Sequence, residues 1–166
     1  MNFPIISSLI ILPIVGTIFL FFIKSNEKNT SIKYVALFIS LSNLILSLYL
    51  WYIFDNTNPS FQFVENRQWI LGLINYKVGI DGISILFVIL TTFIVPLCVL
   101  SVNYTIKYRL KDFLIAILIM ESLMIGVFCS LDLVVFYLFF EGGLIPMFLI
   151  IGIWGGSRRV YSAFKF

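Results

Sequence analysis

Long apolar runs recur five times along the chain, at about 5–23, 34–54, 83–102, 113–129 and 131–153. Short polar stretches separate them. Each approaches or exceeds the length needed to cross a bilayer as a helix at a 1.5 Å rise. The pattern predicts an all-α integral membrane protein of five spans, a single membrane domain without internal repeats. Pro13 and Pro96 lie within the first and third spans, where bends are expected. The polar segment 55–77 breaks the rhythm. Its apolar pieces, FQFV and WILGLINYKVGI, are short and turn-bounded, so a small hairpin or a surface-lying loop is expected there. The closing SAFKF reads as the opening of a further helix. At the ends of spans, Tyr49, Trp51 and Tyr52 read as an interfacial belt, while Asp81 and Asp132 stand where they can cap helix N-termini.

Composition narrows the class. Hydrophobic residues make up 61% and charged residues 11% of 166, and the mean hydropathy is +1.08. A soluble domain of this size cannot hide that much apolar surface. Histidine is absent, and the two cysteines, Cys98 and Cys129, lack metal-ligand spacing, so they read as small packing residues. No phosphate-cradling glycine motif occurs, so neither nucleotide chemistry nor a resident cofactor is expected in this chain. No nucleic-acid partner is expected; the surrounding medium is the lipid bilayer.

Charge placement gives an orientation. The loop 24–33, the cluster Lys107–Arg109–Lys111 and the tail Arg158–Arg159–Lys165 hold every basic residue except Arg67 and Lys77. These three segments fall on one side of a five-span chain. The positive-inside bias then places the N-terminus outside and the C-terminus in the cytoplasm or matrix.

Candidate chemistry lies in the last two spans. Glu141 sits near the middle of 131–153, about 15 Å from the start of the helix, where a carboxylate costs at least about 2.5 kcal/mol to insert. Five residues on, Pro146 has no N–H to give and frees the Gly142 carbonyl. Tyr137, one turn before Glu141, lies on its face and can donate to it. Glu121 occupies the middle of 113–129, at a depth within about 3 Å of Glu141 if a tight turn near Ser130 makes the two helices antiparallel. Either the two acids face each other, making Glu121 a candidate relay, or they face different partners. A cationic partner inside the spans is missing from this reading.

The segment GVFCSLDLVVFYLFFEGGLIPMFLIIGIWGGSRRVYSAFKF, together with VGIDGISILFVILTTFIVPLCVLS, resembles the antiporter-like membrane subunits of respiratory NADH:quinone oxidoreductase, complex I. The LDL lead-in, the FFE with its later proline and the IWG exit carry the likeness. The proline favours the subunit 4 branch, M-type in bacteria, over its paralogues. The resemblance covers roughly the first third of such a subunit. It implies a bundle of about 14 helices with inverted repeats, completed by a second chain or by a C-terminal part. It also implies that Glu141 is the proton-transferring acid, paired in the family with a lysine two helices later, with Pro146 as its kink. NADH, FMN, iron–sulfur clusters and quinone would be held by other subunits. The partners would include neighbouring antiporter-like subunits, and the location the mitochondrial inner membrane or a bacterial plasma membrane. A related cation/proton antiporter or membrane-bound hydrogenase subunit, or a non-catalytic anchoring fragment, are the alternatives.

Overall fold

A computed structural model describes residues 4–23, 30–70, 74–106 and 108–166. Five helices in it are long and apolar enough to cross a membrane: α1 (Ile5–Phe22), α2 (Thr30–Ile53), α3 (Ser84–Thr105), α4 (Leu110–Cys129) and α5 (Leu133–Trp154). A short α6 (Arg159–Lys165) follows, where the closing run reads as the opening of a helix. Between α2 and α3 the chain forms an antiparallel hairpin, β1 (Gln62–Ile70) and β2 (Ile74–Ile80), so of the two readings of 55–77 the hairpin is correct.

Helices α2 and α4 begin about a turn earlier than the hydropathy pattern places them. Lys33 and Lys111 therefore lie inside helical first turns, which corrects the expectation that no basic residue falls within a span. Both can begin a membrane helix because a long stem lets the charge reach the interface. Lys111 uses this reach: its Nζ donates to the Phe21 and Ile23 carbonyls at 2.9 and 2.8 Å, closing the C-terminus of α1. Lys24, Lys28 and Lys107 fall outside the described residues.

Helix α4 is the hub. It packs against α1, α3 and α5, and half of its span is buried, against 11% for α5. Its approach to α5 depends on Gly126, where a Cβ would lie 2.6 Å from the Phe139 ring. The interior is layered. One apolar core, around Leu9, Leu50, Val88 and Ile125, lies at the hairpin end; another, around Leu20, Ala36, Val99 and Leu118, lies at the opposite end. Between them on every helix from α1 to α4 runs a buried polar layer: Thr17 on α1, Ser40, Asn43 and Ser47 on α2, Thr92 on α3, and Glu121 with Ser122 on α4.

The hairpin grips the bundle at two places. Glu65 Oε1 accepts from the Ile6 and Ser7 amides at 3.0 and 3.3 Å, and its other oxygen accepts from the Ser7 hydroxyl. This supplies a carboxylate to the N-terminus of α1, whose own N-cap, Pro4, makes no side-chain cap. Tyr76 joins through Ser7 Oγ at 3.2 Å, and burial raises its phenol above the ordinary range. On the other side, Leu131 N donates to Lys77 O at 2.9 Å, fastening the α4–α5 turn to β2. Asp81 caps as expected: its Oδ1 accepts from Ser84 N at 2.7 Å, which holds its carboxyl below the usual range. Cys129 packs in the core, but Cys98 is exposed because it lies on the outward face of α3; the packing role expected for it is corrected.

Candidate functional site

Helix α5 carries the first acid. It starts at Asp132, whose Oδ1 accepts from Val134 N at 2.8 Å and Val135 N at 3.3 Å, so the helix begins at a well-formed cap. Five residues on, the Tyr137 hydroxyl donates to Glu141 Oε1. Both side chains are exposed, on a face that the other helices leave uncovered. Pro146 lies inside α5 and is buried; with no N–H, it cannot bond the Gly142 carbonyl. Gly142 itself approaches α4, where a Cβ would come 3.3 Å from Leu123. A groove of about 460 Å³ between the end of α1, α4 and α5 runs past Gly142 and Pro146 toward Lys111 and Asp112. The site therefore combines an acid, a phenol on the same face, and a softened helix turn beside a groove that opens at charged residues.

The second acid is housed differently. Glu121 on α4 is 1% exposed, and its Oε1 accepts from Asn43 Nδ2 on α2 at 2.8 Å. Next to it, Ser122 Oγ donates to Ile10 O on α1 at 2.6 Å, and one turn along α2 the Ser47 and Thr92 hydroxyls meet at 2.7 Å. Glu121 thus looks into the α1–α4 interior, whereas Glu141 looks outward from α5. Of the two arrangements left open by the sequence, the acids have different partners. No hydrogen bond or ion pair joins them among the described residues.

Asn43 is the site residue that sequence reasoning missed. A signal existed: Ser40, Asn43 and Ser47 recur at helical spacing along an otherwise apolar span, marking a polar stripe on α2. The hairpin residue Glu65 was also missed, because its partners lie 58 and 59 residues away and leave no local pattern. Among the described residues, no cluster of three or more His, Cys, Asp or Glu side chains is placed to hold a metal ion.

Comparison with known proteins addresses the same segment. The family described as NADH:quinone oxidoreductase/Mrp antiporter, TM, matches residues 130–166, which contain α5 and α6. NADH-quinone oxidoreductase subunit M of Rhodobacter capsulatus is 60% identical over 134 residues, covering 81% of this chain and 26% of its own length. Subunit M of Rickettsia conorii is 42% identical over 172 residues, covering 100% of this chain and 35% of its own. The chain is thus similar along its whole length to subunit M proteins, and over residues 130–166 to this family's membrane segment. A plant relative, NADH-ubiquinone oxidoreductase chain 4 of Marchantia polymorpha, is 45% identical over 163 residues, with 97% of this chain and 33% of its own covered. The chain spans about a third or less of the length of these subunit M and chain 4 relatives. Its five apolar helices make it a multi-pass membrane protein.

Proposed function

We propose that the chain serves in a proton-translocating membrane subunit of NADH:quinone oxidoreductase, with Glu141 as its proton-handling acid. The observation that carries this reading is the placement of Glu141. It stands mid-helix, hydrogen-bonded to Tyr137, within a turn of a proline-freed carbonyl, on a face left open by α1 to α4. An acid so placed needs a partner from outside the described bundle, because an unpaired carboxylate facing hydrocarbon is costly. Such a partner, a cation from later helices or a second chain, would let the acid hold a proton when apart and release it when paired. Tyr137 orients the carboxyl, and the turn at Pro146 lets the helix adjust as the pair forms and parts. Glu121 serves as a separate acid of the interior, so any relay role runs through Asn43 and not by contact with Glu141.

Redox chemistry falls to other subunits, which would hold NADH, FMN, iron–sulfur clusters and quinone. Neighbouring antiporter-like subunits would pack against this one in the mitochondrial inner membrane or a bacterial plasma membrane. The N-terminus lies outside, as the basic segments require. A second reading, a subunit of a cation/proton antiporter, draws on the description of the matched family, which spans both classes. Co-purification with flavin and iron–sulfur subunits supports the first; isolation in a redox-free antiporter assembly supports the second.

Glu141→Gln tests the central assignment. It keeps the shape and most of the hydrogen bonding but removes the titration. In the complete complex, quinone reduction and proton pumping should both fall by roughly a hundredfold, the lower end for a lost acid–base group. Glu141→Asp should be intermediate. Normal assembly with wild-type pumping in Glu141→Gln would make the acid structural.

A further inference from the structure

Every hydroxyl of the buried polar layer is satisfied. Thr17 donates to Ile14 O, Ser40 to Leu37 O and Ser122 to Ile10 O; Ser47 and Thr92 share one hydrogen bond, and the hydroxyl that accepts in it donates to a carbonyl of its own helix. Two buried oxygens in the layer are not: Asn43 Oδ1 and Glu121 Oε2. They belong to the two side chains already joined by the Nδ2–Oε1 hydrogen bond. Leaving two buried acceptors unpaired is unfavourable, and leaving one of them on an ionised carboxylate more so.

The charges around Glu121 offer no remedy. Among the described residues, Asn43 on α2 is its sole hydrogen-bond partner. Nearby, α1 contributes the Ile10 carbonyl, already taken by Ser122, and α3 contributes Thr92, already paired with Ser47. Among the described residues no Lys, Arg, Asp or second Glu from α1, α2, α3 or α5 forms an ion pair or hydrogen bond with it; the one salt bridge, Arg109–Asp112, is on the surface. A single proton resolves both deficits. A carboxylic acid and a primary amide are complementary, each offering one donor beside one acceptor. With the acid proton on Oε2 donated to Asn43 Oδ1, and Asn43 Nδ2 donating to Oε1, the pair closes a ring of two hydrogen bonds and carries no net charge.

We infer that Glu121 and Asn43 form a one-proton site in the α2–α4 interface, in which Glu121 is a neutral acid donating to the Asn43 amide. The site goes beyond the role proposed for Glu141 and does not depend on it. It makes Glu121 the holder of a resident proton, walled from the uncovered face of α5 by α4 itself.

The test is infrared spectroscopy of membranes containing the complete complex with isotope-labelled glutamate, taken as wild type minus Glu121→Gln near neutral pH. The difference should contain the carbonyl stretch of a protonated carboxylic acid, and the same band should be present in a Glu141→Gln background. Glu121→Gln should also assemble to within about twofold of wild type, since glutamine reproduces both hydrogen bonds of the ring. Glu121→Leu, which strands the Asn43 amide, should assemble severalfold less. Carboxylate stretches in place of the acid band would overturn the inference, as would loss of assembly in Glu121→Gln equal to that in Glu121→Leu.

Discussion

The two glutamates show how much of a residue's meaning comes from what it faces. In sequence they are alike: each is a lone acid in the middle of an apolar span. In the fold one is sealed against an amide and the other is shared with a phenol on an open face. Glu141, Tyr137, Asp132 and Asp81 were legible because their partners lie within one helical turn or directly at a helix start. Asn43 and Glu65 were not, because rotation of one helix about its axis and pairing across dozens of residues are set by packing. Tyr137→Phe isolates the local contact. It keeps the ring and removes the hydroxyl that donates to Glu141, a loss of about 1 kcal/mol for a typical hydrogen bond. Proton pumping in vesicles should drop by about fivefold, less than for Glu141→Gln. Pumping at the wild-type rate would mean that the phenol only fills space.

At the scale of the element, hydropathy located all five helices, since a run of apolar residues in lipid has few other ways to satisfy its backbone. It misplaced the starts of α2 and α4 by about a turn, because a lysine at a helix end reads as loop when only polarity is counted. Helix α5 carries an internal proline at its functional turn. Pro146→Ala restores a donor for the Gly142 carbonyl and should straighten the helix. The expected outcome is a complex that assembles at near-normal level but pumps several-fold more slowly, measured per assembled complex. Equal rates would make the proline incidental to transport. The hairpin was the ambiguous element, since its apolar pieces are short and the groups it is anchored to, Leu131 and the Ile6 and Ser7 amides, are remote from it in sequence.

For the whole molecule, the layered interior fits its surroundings: apolar cores toward both ends, a polar stratum between them, and, among the described residues, every basic side chain except the hairpin's Arg67 and Lys77 at the end away from the hairpin. The stratum could be inferred only in part from sequence, because its members come from four helices and only Glu121 is conspicuous. The orientation rests on charge and can be checked directly. A cysteine introduced at Asn58, beside the hairpin, should react with an impermeant thiol reagent from the outer side, in a background lacking the exposed Cys98. One introduced at Arg158 should react only from the cytoplasmic or matrix side. The reverse pattern would invert the topology.

The hairpin's two grips also set an order of events during synthesis. Its first anchor, the N-terminal turn of α1, leaves the ribosome before it does; its second, the α4–α5 turn, emerges only after two more helices have been made. Glu65 can therefore close on Ile6 and Ser7 while the chain is still growing, holding α1 and α2 in a fixed relation. The free edge of β2 then waits as a template, and Leu131 is the residue that completes it. The arrival of the helix bearing Glu141 is registered by a backbone hydrogen bond formed just ahead of that helix's N-terminus. A newborn chain arrested before α4 would carry one clasp fastened and one open, a half-built state distinguishable from the finished one by the exposure of β2.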